Sequence, residues 1–334
     1  IMNLAIVGAT GMVGRVFIRL LEERNFPYTK LFLVASKKSA GKELLVREEK
    51  HLIITIEELV KKDVDLAFFS AGREISKNWA PVLAKKGCKV IDNSSYWRMC
   101  SKHKLIIPEI NANQLTNEDL IIANPNCSTI QLLMVLAPIH KKYTINRVVV
   151  STYQSVTGTG MKALHQLEKE TKGIAKKKHY PYQIYDNVLP HCDDFLDNSY
   201  TKEEMKLTNE TKKILDPKIL VTATAVRVPV TGGHSESVNI TCNKTFKISE
   251  ILETLKKQEG VSVIDNICEN KYPMPFFAKN NNDVFVGRIR RDFTLEKSLN
   301  LWVVSDNLRK GAATNSIQIA EYLLEKKLIK KHDS

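Results

Sequence analysis

One cysteine stands at a position where a thiol can be activated. Cys127 lies in the segment 124–128, Asn-Pro-Asn-Cys-Ser, directly before the apolar run 129–137, which predicts a buried helix that begins near the thiol. Unpaired backbone N–H groups and the positive end of a helix dipole would stabilise a thiolate there, the nucleophilic form of cysteine. Cysteine is also a common small core residue, so the position alone leaves both interpretations open.

A histidine follows a predicted strand and a glycine turn in the segment 227–236, Arg-Val-Pro-Val-Thr-Gly-Gly-His-Ser-Glu. The ordinary pKa of His234 is near neutrality, which suits an acid/base, and the preceding glycines predict an exposed, turned placement. A lone histidine is more often structural. A cysteine and a histidine together in a chain of this type nevertheless indicate thiol-based acyl chemistry.

The N-terminus has the pattern of a nucleotide-binding unit. The apolar run 4–7 leads into glycines at 8, 11 and 14, and a helical pattern follows over 15–24. Such a strand, glycine turn and helix let a backbone approach a pyrophosphate at the helix N-terminus, although the spacing is GxxGxxG rather than GxGxxG and a plain tight turn is the alternative. The candidate contacts in this turn are Gly8, Thr10, Gly11, Met12 and Val13.

The end of the second predicted strand indicates which nucleotide is bound. An NAD enzyme commonly presents an acidic side chain there, whereas this chain has Ser-Lys-Lys-Ser after the run 31–35. Two cations and two hydroxyls suit a 2′-phosphate, so we predict NADP, the alternative being a solvated polar loop. Ser70 and Ala71 follow another strand and are further candidates, and the loop candidates are Ser36, Lys37, Lys38 and Ser39.

The segments that carry the candidate residues lie in two predicted domains of different type. In the first 125 residues, short apolar strands alternate with helices at 15–24 and 74–86, which predicts a largely parallel sheet covered by helices. The strands are predicted at 4–7, 31–35, 64–70, 89–91, 105–107 and 120–123. The fold class is therefore α/β, with an N-terminal Rossmann-type dinucleotide-binding domain over 1–125.

Longer, more alternating strands follow, which predicts an α+β substrate and dimerisation domain with a mixed, mainly antiparallel sheet. One helix is predicted at 249–258 with Ser249 among its N-terminal capping residues, and 162–209 is expected to form irregular insertions. We place this catalytic domain at 126–306, and the C-terminal segment 307–334, with a helix at 312–327, completes the NADP-binding domain. The strands are predicted at 147–156, 219–230, 237–241, 284–293 and 299–304.

Composition excludes several other classes. The 334 residues are 43% hydrophobic and 26% charged, as in a globular enzyme, and we expect a cytoplasmic protein because neither a membrane span nor a signal peptide is evident. Six cysteines without a CxxC pair predict reduced thiols and no metal site. The net charge of +13 lies partly in lysine clusters at 176–178, 212–213 and 326–331, which are typical of a solvated surface and show no motif for binding nucleic acid or membrane. Such a field would still attract an anionic substrate and cofactor.

Six segments in order resemble the aspartate-β-semialdehyde dehydrogenase family over nearly the whole chain. Besides 8–14 and 227–236, they include Asn-Ser-Ser-Tyr-Trp-Arg and Asn-Pro-Asn-Cys-Ser-Thr-Ile-Gln. The remaining ones are Ser-Thr-Tyr-Gln-Ser-Val-Thr-Gly-Thr-Gly and Asp-Asn-Leu-Arg-Lys-Gly-Ala-Ala. These four sequences lie, in the order given, at 93–98, 124–131, 151–160 and 306–313.

The resemblance implies an NADP-dependent enzyme that reversibly converts 4-phospho-L-aspartate into L-aspartate 4-semialdehyde through a cysteine thioester. That reaction serves the biosynthesis of lysine and diaminopimelate, threonine and methionine. Cys127 would be the nucleophile, His234 the acid/base and Gln154 the residue that positions the substrate. The resemblance also implies a homodimer, or a homotetramer of two such dimers, formed through the second domain.

By the same resemblance, Arg227 would bind the α-carboxylate and Glu203 the amino group. Arg98 and Lys206 would bind phosphate, and Asn126 lies beside the thiol. Gly158 and Asn307 are candidates on the nicotinamide side. On spacing alone, Glu203 and Lys206 are typical of a surface ion pair. The segment before His234 lacks the second cysteine of one branch of the family, and Cys192 stands where an aliphatic residue is expected.

Three alternatives remain open at this point. N-acetyl-γ-glutamyl-phosphate reductase uses the same thioester and hydride chemistry, but its acetamide substrate needs no anionic partner such as Glu203. Glyceraldehyde-3-phosphate dehydrogenase is disfavoured by the basic loop. A nucleotide-sensing RNA-binding protein with a dead active site is disfavoured because the cysteine and the histidine are both present.

Overall fold

The chain folds as two compact units. The computed structural model describes residues 2–174 and 179–329; one unit comprises the residues up to Pro125 together with those from Ala312 onward, and the other is Asn126–Gly311. The segment 307–311, predicted with the first domain, clusters with the second unit. The lysine cluster 176–178 and the last two residues of the cluster 326–331 lie outside the described residues. Within the described ranges, no helix is both long and apolar enough to cross a bilayer.

The first unit is built on a seven-stranded sheet in the order β3-β4-β2-β1-β5-β6-β7. All neighbouring strands are parallel except β3 and β4. Strands β5 and β6 are buried at every position, as expected for parallel strands covered on both faces. The strands are β1 (Asn3–Val7), β2 (Lys30–Val34), β3 (Glu43–Val46), β4 (Glu49–Ile54), β5 (Leu66–Phe69), β6 (Lys89–Asp92) and β7 (Ile121–Ala123). The helices are α1 (Met12–Glu23), α2 (Ile56–Leu59), α3 (Arg73–Lys85) and α4 (Pro108–Asn111).

Two details of this unit differ from the sequence prediction. The strand predicted at 105–107 is reduced to a single bridge between Leu105 and Ala123, because the chain turns into α4 at Pro108. The hairpin of β3 and β4 was not predicted. Its strands are short and mostly exposed or half-buried at the sheet edge, and its turn places Arg47 and Glu48 at positive φ, so the segment lacks the run of buried apolar residues that marks the other strands.

The second unit begins with helix α5 (Cys127–Tyr143) and contains a six-stranded mixed sheet. Its order is β11-β12-β13-β10-β8-β9, with three antiparallel pairs in the middle and a parallel pair at each edge. The strands are β8 (Ile145–Ser155), β9 (Leu220–Val228), β10 (His234–Cys242), β11 (Val261–Val263), β12 (Val284–Arg291) and β13 (Ser298–Ser305). The helices are α6 (Met161–Glu170), α7 (Lys202–Ile214), α8 (Ile248–Lys256) and α9 (Pro275–Ala278).

Helix α5 packs on one face of this sheet. Alternate residues of β8, such as Val148, Val150 and Thr152, are buried on that face, whereas Arg147 and Tyr153 on the opposite face are exposed. Alternation of this kind is expected where an antiparallel sheet covers its core on one side only. The C-terminal end of β8, which lies nearest the start of α5, therefore directs its inward side chains into the space between the sheet and the helix.

Two predictions for the second unit need correction. The segment 162–209 is irregular only in its middle: its described residues 171–174 and 179–201 form no helix or strand, but its two ends belong to α6 and α7. Helix α6 is stabilised by polar side chains that point inward: the carboxylate of Glu170 accepts N–H bonds from Ile184 and Tyr185 at 2.9 and 2.8 Å. Helix α8 is not capped by Ser249, since it starts at Ile248 and the Glu250 carboxylate accepts the Lys247 N–H at 3.1 Å.

The last helix, α10 (Thr314–Glu325), follows a π-helical turn at Arg309–Ala313 and belongs to the first unit. The side-chain amide of Asn315 donates to the Ile106 carbonyl at 3.0 Å and to Oδ1 of Asn124 at 2.7 Å. These buried bonds fix the C-terminal helix beside the carboxyl ends of the parallel strands. The helix is two residues shorter at each end than predicted from the apolar pattern.

Candidate active site

Cys127 is the first residue of α5, as the sequence predicts. Asn126 is the N-cap, and its Oδ1 accepts the backbone N–H groups of Ser128 at 3.0 Å and Thr129 at 3.4 Å. The thiol is partly exposed, while most residues of the next two turns are buried. A Cβ atom on Gly311 would lie 2.9 Å from Cβ of Cys127, so only glycine leaves the thiol its space. The cysteine is thus held at the positive end of a buried helix.

The register of the sheet gathers the other candidate side chains. Gln154 on β8 pairs with Arg227 on β9, and Thr152 pairs with Glu236 on β10, two residues beyond His234. Paired residues and residues two apart share one face of a sheet. That face meets the first turn of α5, because Nε2 of Gln154 donates to Oγ of Ser128 at 2.9 Å.

Helix α7 adds an ion cluster centred on the buried carboxylate of Glu203. Oε1 of Glu203 accepts the side-chain amides of Asn126 at 3.0 Å and Gln154 at 3.1 Å, and its Oε2 accepts Nζ of Lys206 at 2.9 Å. Nζ of Lys206 also binds Oδ2 of Asp193 at 2.7 Å. Glu203 is only 7% exposed, so the surface ion pair expected from spacing alone is excluded.

The charges of this cluster control its pKa values. Burial opposes ionisation of Glu203, but Lys206 and Arg227, together with the hydrogen bonds, outweigh it and lower the pKa of Glu203 to about 2. Burial would lower the pKa of Lys206, but Glu203 and Asp193 raise it to about 12. Both side chains are therefore charged at neutral pH, and the cluster holds a fixed anion beside Asn126 and Gln154.

His234 is fully buried, and the exposed placement predicted from its glycines is wrong. Strand β10 begins at His234 itself, and a Cβ on Gly233 would lie 2.4 Å from the Ser305 carbonyl oxygen, so the glycine serves close packing against β13. Nδ1 of His234 accepts the Ser155 backbone N–H at 3.0 Å, while Nε2 has no partner among the described residues. Burial, reinforced by the charge of Arg227, lowers the pKa of His234 to about 3.

Arg227 and Gly158 lie beside the imidazole. Nη1 of Arg227 donates to the Ser155 carbonyl at 2.7 Å, and its buried Nε has no partner in the described part of the chain. A Cβ on Gly158 would lie 3.0 Å from Nε2 of His234 and 3.1 Å from Nη1 of Arg227. Arg227 and Gly158 line a cavity of about 390 Å³, and its lining also includes Tyr180, Cys192, Glu203 and Lys206.

The first unit has a separate cavity of about 400 Å³ at the carboxyl ends of β1, β2 and β5. Gly8 has φ 95°, and a Cβ there would lie 2.3 Å from the Ser70 carbonyl oxygen; a Cβ on Gly14 would lie 2.1 Å from the Gly8 oxygen. Both glycines are thus sterically required, as the nucleotide-binding pattern predicts. Of the predicted cofactor residues, the lining includes Gly8, Thr10, Gly11, Ser36, Lys37, Ser70 and Ala71. It does not include Met12, Val13, Lys38 or Ser39, and it adds Ile56, Glu57 and Ile75, for which the sequence gave no signal.

Arg98 and Asn307 belong to different units. Arg98 in the first unit is buried and donates to the backbone carbonyls of Asn124 at 2.9 Å and Asn93 at 2.8 Å. Oδ1 of Asn307 in the second unit accepts the hydroxyl of Thr157 at 3.0 Å. The roles predicted for these two residues, in phosphate and nicotinamide binding, stay predictions.

Sequence reasoning missed three residues that shape the site. Ser155 binds both His234 and Arg227 through its backbone, Asp193 shares Lys206 with Glu203, and Gly311 makes room for the thiol. Backbone contacts leave no trace in residue type, and Asp193 lies in a polar segment without periodicity. Gly311 and Ser155 each had a signal of another kind, because they lie in two of the six recognisable segments, 306–313 and 151–160.

One unit is Rossmann-type, with glycines packed closely against its sheet, and the other carries a helix-terminal cysteine together with a buried histidine, arginine and glutamate. This combination is typical of a dinucleotide-dependent oxidoreductase. Residues 3–118 match the family model described as semialdehyde dehydrogenase, NAD binding domain, and residues 136–310 match semialdehyde dehydrogenase, dimerisation domain. The chain is 50% identical to aspartate-semialdehyde dehydrogenase of Aquifex aeolicus over 98% of this chain and 99% of that protein. It is 44% identical to the Bacillus subtilis enzyme over 98% and 99%.

A solved structure of aspartate semialdehyde dehydrogenase II from Vibrio cholerae, complexed with ASA, has a TM-score of 0.92 and 41% identity, covering 97% of this chain and 98% of that one. The chain belongs to the aspartate-semialdehyde dehydrogenase family. The predictions of family, fold class, an NAD(P)-dependent oxidoreductase and a role in amino-acid biosynthesis are thereby confirmed, and the three alternatives are not favoured. Among the residues described, no group of three or more histidine, cysteine, aspartate or glutamate side chains is arranged to hold a metal ion.

Proposed function

We propose that this chain catalyses the reversible, NADPH-dependent reductive dephosphorylation of 4-phospho-L-aspartate to L-aspartate 4-semialdehyde, with Cys127 as the nucleophile. One observation carries the proposal: the helix cap Asn126 and the strand residue Gln154 both bind the same buried carboxylate, Glu203, beside the thiol-bearing helix end. A fixed anion at that place suits a substrate with a free ammonium group. The acylated substrate of N-acetyl-γ-glutamyl-phosphate reductase has no such group.

Cys127 initiates the reaction as a thiolate. Its sulfur attacks the acyl carbon, the carbon–oxygen bond to phosphate breaks, and inorganic phosphate leaves with the bonding electrons. Oδ1 of Asn126 already accepts the N–H groups of Ser128 and Thr129, so the positive end of the α5 dipole is the feature of this helix that stabilises the oxyanion of the tetrahedral intermediate. After reduction the carbon–sulfur bond breaks, which releases the semialdehyde and restores the thiolate.

His234 assists through Nε2. Because Nδ1 accepts a backbone N–H, the neutral ring carries its proton on Nε2, which is free to donate to an oxygen that gains negative charge. As a base the ring would have to become an imidazolium, which its low pKa resists until an anionic substrate offsets the charge of Arg227. We therefore assign His234 first as a hydrogen-bond donor, and as a base only once the anionic substrate is bound.

Charge complementarity selects the substrate. Arg227 is held by Ser155 on one side and keeps Nε for the α-carboxylate, while Glu203 faces the ammonium group. Lys206 and Arg98 are the proposed phosphate ligands. Lys206 is shared by Glu203 and Asp193, so the cluster is not strongly cationic and phosphate can leave after the acyl transfer.

The cavity of the first unit fits NADP. Gly8, Gly11 and the start of α1 would hold the pyrophosphate, and Ser36 with Lys37 would hold the 2′-phosphate, with Lys38 and Ser39 in the same exposed turn. When bound, NADPH supplies the hydride that reduces the thioester. We assign NADP binding to 1–125 with the C-terminal segment, and catalysis and dimerisation to the rest.

A homodimer accords with the matched dimerisation domain. We place the contact on the outer face of the six-stranded sheet, where Tyr153 and Trp302 have ring centroids 5.5 Å apart and Tyr153 is exposed. Assembly of two dimers into a tetramer and a cytoplasmic location complete the proposal.

The decisive assay measures phosphate-dependent reduction of NADP+ with aspartate semialdehyde and, in parallel, with N-acetylglutamate semialdehyde. We expect turnover with the first substrate only. Mass spectrometry of enzyme mixed with 4-phospho-aspartate in the absence of NADPH should show one aspartyl adduct on Cys127. Turnover of the acetylated substrate alone, or an adduct on another cysteine, contradicts the proposal.

A further inference from the structure

A second buried acid lies behind His234. Glu236 is fully buried on β10, and its side chain shares the core face with His234 because the two are separated by one residue of a strand. Neither carboxyl oxygen has a hydrogen-bond partner within residues 2–174 and 179–329. Burial raises the pKa of Glu236 well above its ordinary value, and the lesser, opposing effect comes from the side chain of Gln131.

Two polar groups near this acid have no hydrogen-bond partner among the described residues: an amide oxygen that can only accept, and a hydroxyl that can donate or accept. Oε1 of Gln131 is buried without a partner, as is Oγ1 of Thr152, which pairs with Glu236 across β8 and β10; both statements concern the described residues. A carboxylate can only accept hydrogen bonds, so an ionised Glu236 would leave Oε1 of Gln131 unsatisfied. A neutral carboxylic acid brings an O–H donor for Oε1 of Gln131, and its carbonyl oxygen can accept the Thr152 hydroxyl.

Gln131 connects this acid to both reacting side chains. Its Nε2 donates to the backbone carbonyl of His234 at 3.4 Å. It also lies four residues after Cys127 on α5, so the two side chains share one face of the helix. The orientation of one amide therefore relates the strand that carries the imidazole to the helix that carries the thiol.

We propose that Glu236 is a neutral carboxylic acid that donates its proton to Oε1 of Gln131 and so holds the Gln131 amide against the His234 carbonyl. Glu236 is then a positioning residue: it touches no reacting atom, and it fixes where Nε2 of His234 points. The inference rests on the role of His234 proposed above, but the state of the acid itself does not depend on that role.

Three variants separate this arrangement from a general packing role. Glu236→Gln keeps the shape and offers an N–H to Gln131, so kcat should stay within about threefold of wild type. Glu236→Leu keeps the bulk without a donor, and kcat should fall by about tenfold or more while KM for the semialdehyde changes by less than about threefold. Ile240→Val, on the same face of β10, is the matched packing control and should leave kcat unchanged. If Glu236→Gln loses as much as Glu236→Leu, or Glu236→Leu matches wild type, the proposal is overturned.

Infrared spectroscopy of the substrate-free enzyme tests the acid without using activity. At neutral pH, wild type should show the C=O stretch of a protonated carboxylic acid that is absent in Glu236→Gln. Identical spectra overturn the proposal even if the enzyme is an active aspartate-semialdehyde dehydrogenase. A lost band in a protein that fails the aspartyl assay would refute only the proposed function.

Discussion

The backbone N–H of Ser155 donates to Nδ1 of His234 at 3.0 Å, which fixes the tautomer of the buried imidazole. A histidine held in this way presents Nε2–H as a donor and resists protonation. The ring is therefore neutral over the range in which an exposed histidine titrates. Its behaviour with pH is accordingly the first property to measure.

Acid should destabilise the fold through His234. Its pKa is about 3 in the folded chain and about 6.5 when unfolded, so the unfolded state binds more protons between these values and stability falls as pH drops below about 6.5. The pKa of Glu236 is raised in the folded chain, so its protonation stabilises the fold as pH falls and opposes the effect of His234. Comparison of wild type with His234→Gln removes this contribution, because both proteins contain Glu236. Between pH 7 and pH 5, the free energy of unfolding of wild type relative to the variant should fall by roughly 1–2 kcal/mol in urea titrations. A difference independent of pH would mean that the ring is not buried as a neutral group.

Replacement of Arg227 by lysine should weaken substrate binding. The change keeps the charge but loses the planar fork, so KM for the semialdehyde should rise by about tenfold or more while KM for NADP+ stays nearly constant. Arg290→Lys, an exposed position on β12, is the control. Unchanged substrate kinetics would remove Arg227 from the site.

The loop after β2 should decide cofactor choice. Replacing Lys37 and Lys38 together with alanine should weaken NADP+ binding selectively, because NAD+ has no 2′-phosphate with which to lose contact. The exposed pair Lys61 and Lys62 in the same unit provides the matched control. Dissociation constants for both cofactors give the decisive ratio: an equal loss for both indicates damage to the loop, and no loss indicates a solvated loop.

Gly158→Ala distinguishes a substrate role from a cofactor role. The new methyl group would lie about as close to His234 as to Arg227, 3.0 and 3.1 Å. We expect a lower kcat and a higher KM for the semialdehyde, with the NADP+ dissociation constant within about twofold. The opposite result, a selective loss of NADP+ affinity, would support the nicotinamide contact expected from the family resemblance.

Cys127 should react with an alkylating agent before the other thiols at mildly acidic pH, and bound substrate should protect it. Burial raises the pKa of Cys88, that of Cys192 to about 12 and that of Cys242 to about 11, which suppresses their reaction. Peptide mapping of a Cys268→Ser variant removes the exposed competitor. Cys127→Ser should retain its fold and NADP+ binding and lose several orders of magnitude in kcat, since a hydroxyl is a poor nucleophile at this pH. Appreciable activity in that variant would refute the thioester mechanism.

Local patterns in the sequence determined most of the elements and predicted Cys127 as the nucleophile. The apolar run after Cys127 is enough to predict a buried helix, because side-chain periodicity and capping act within a few residues. The glycines at 8 and 14 likewise report a close backbone approach, which no other residue permits. The same reasoning missed the hairpin of β3 and β4, whose strands are short and exposed, and it predicted irregular structure where helix α6 is polar, since the stabilising partners lie elsewhere in the chain.

Only the tertiary structure decided what surrounds the reacting groups. Glu203 and Lys206 have the spacing of a surface pair, and packing of α7 over Asn126 and Gln154 is what buries the glutamate. His234 looks exposed beside its glycines, yet strand pairing buries it and lowers its pKa. Burial and electrostatic environment depend on groups brought together from distant segments, and residue type alone carries no record of them.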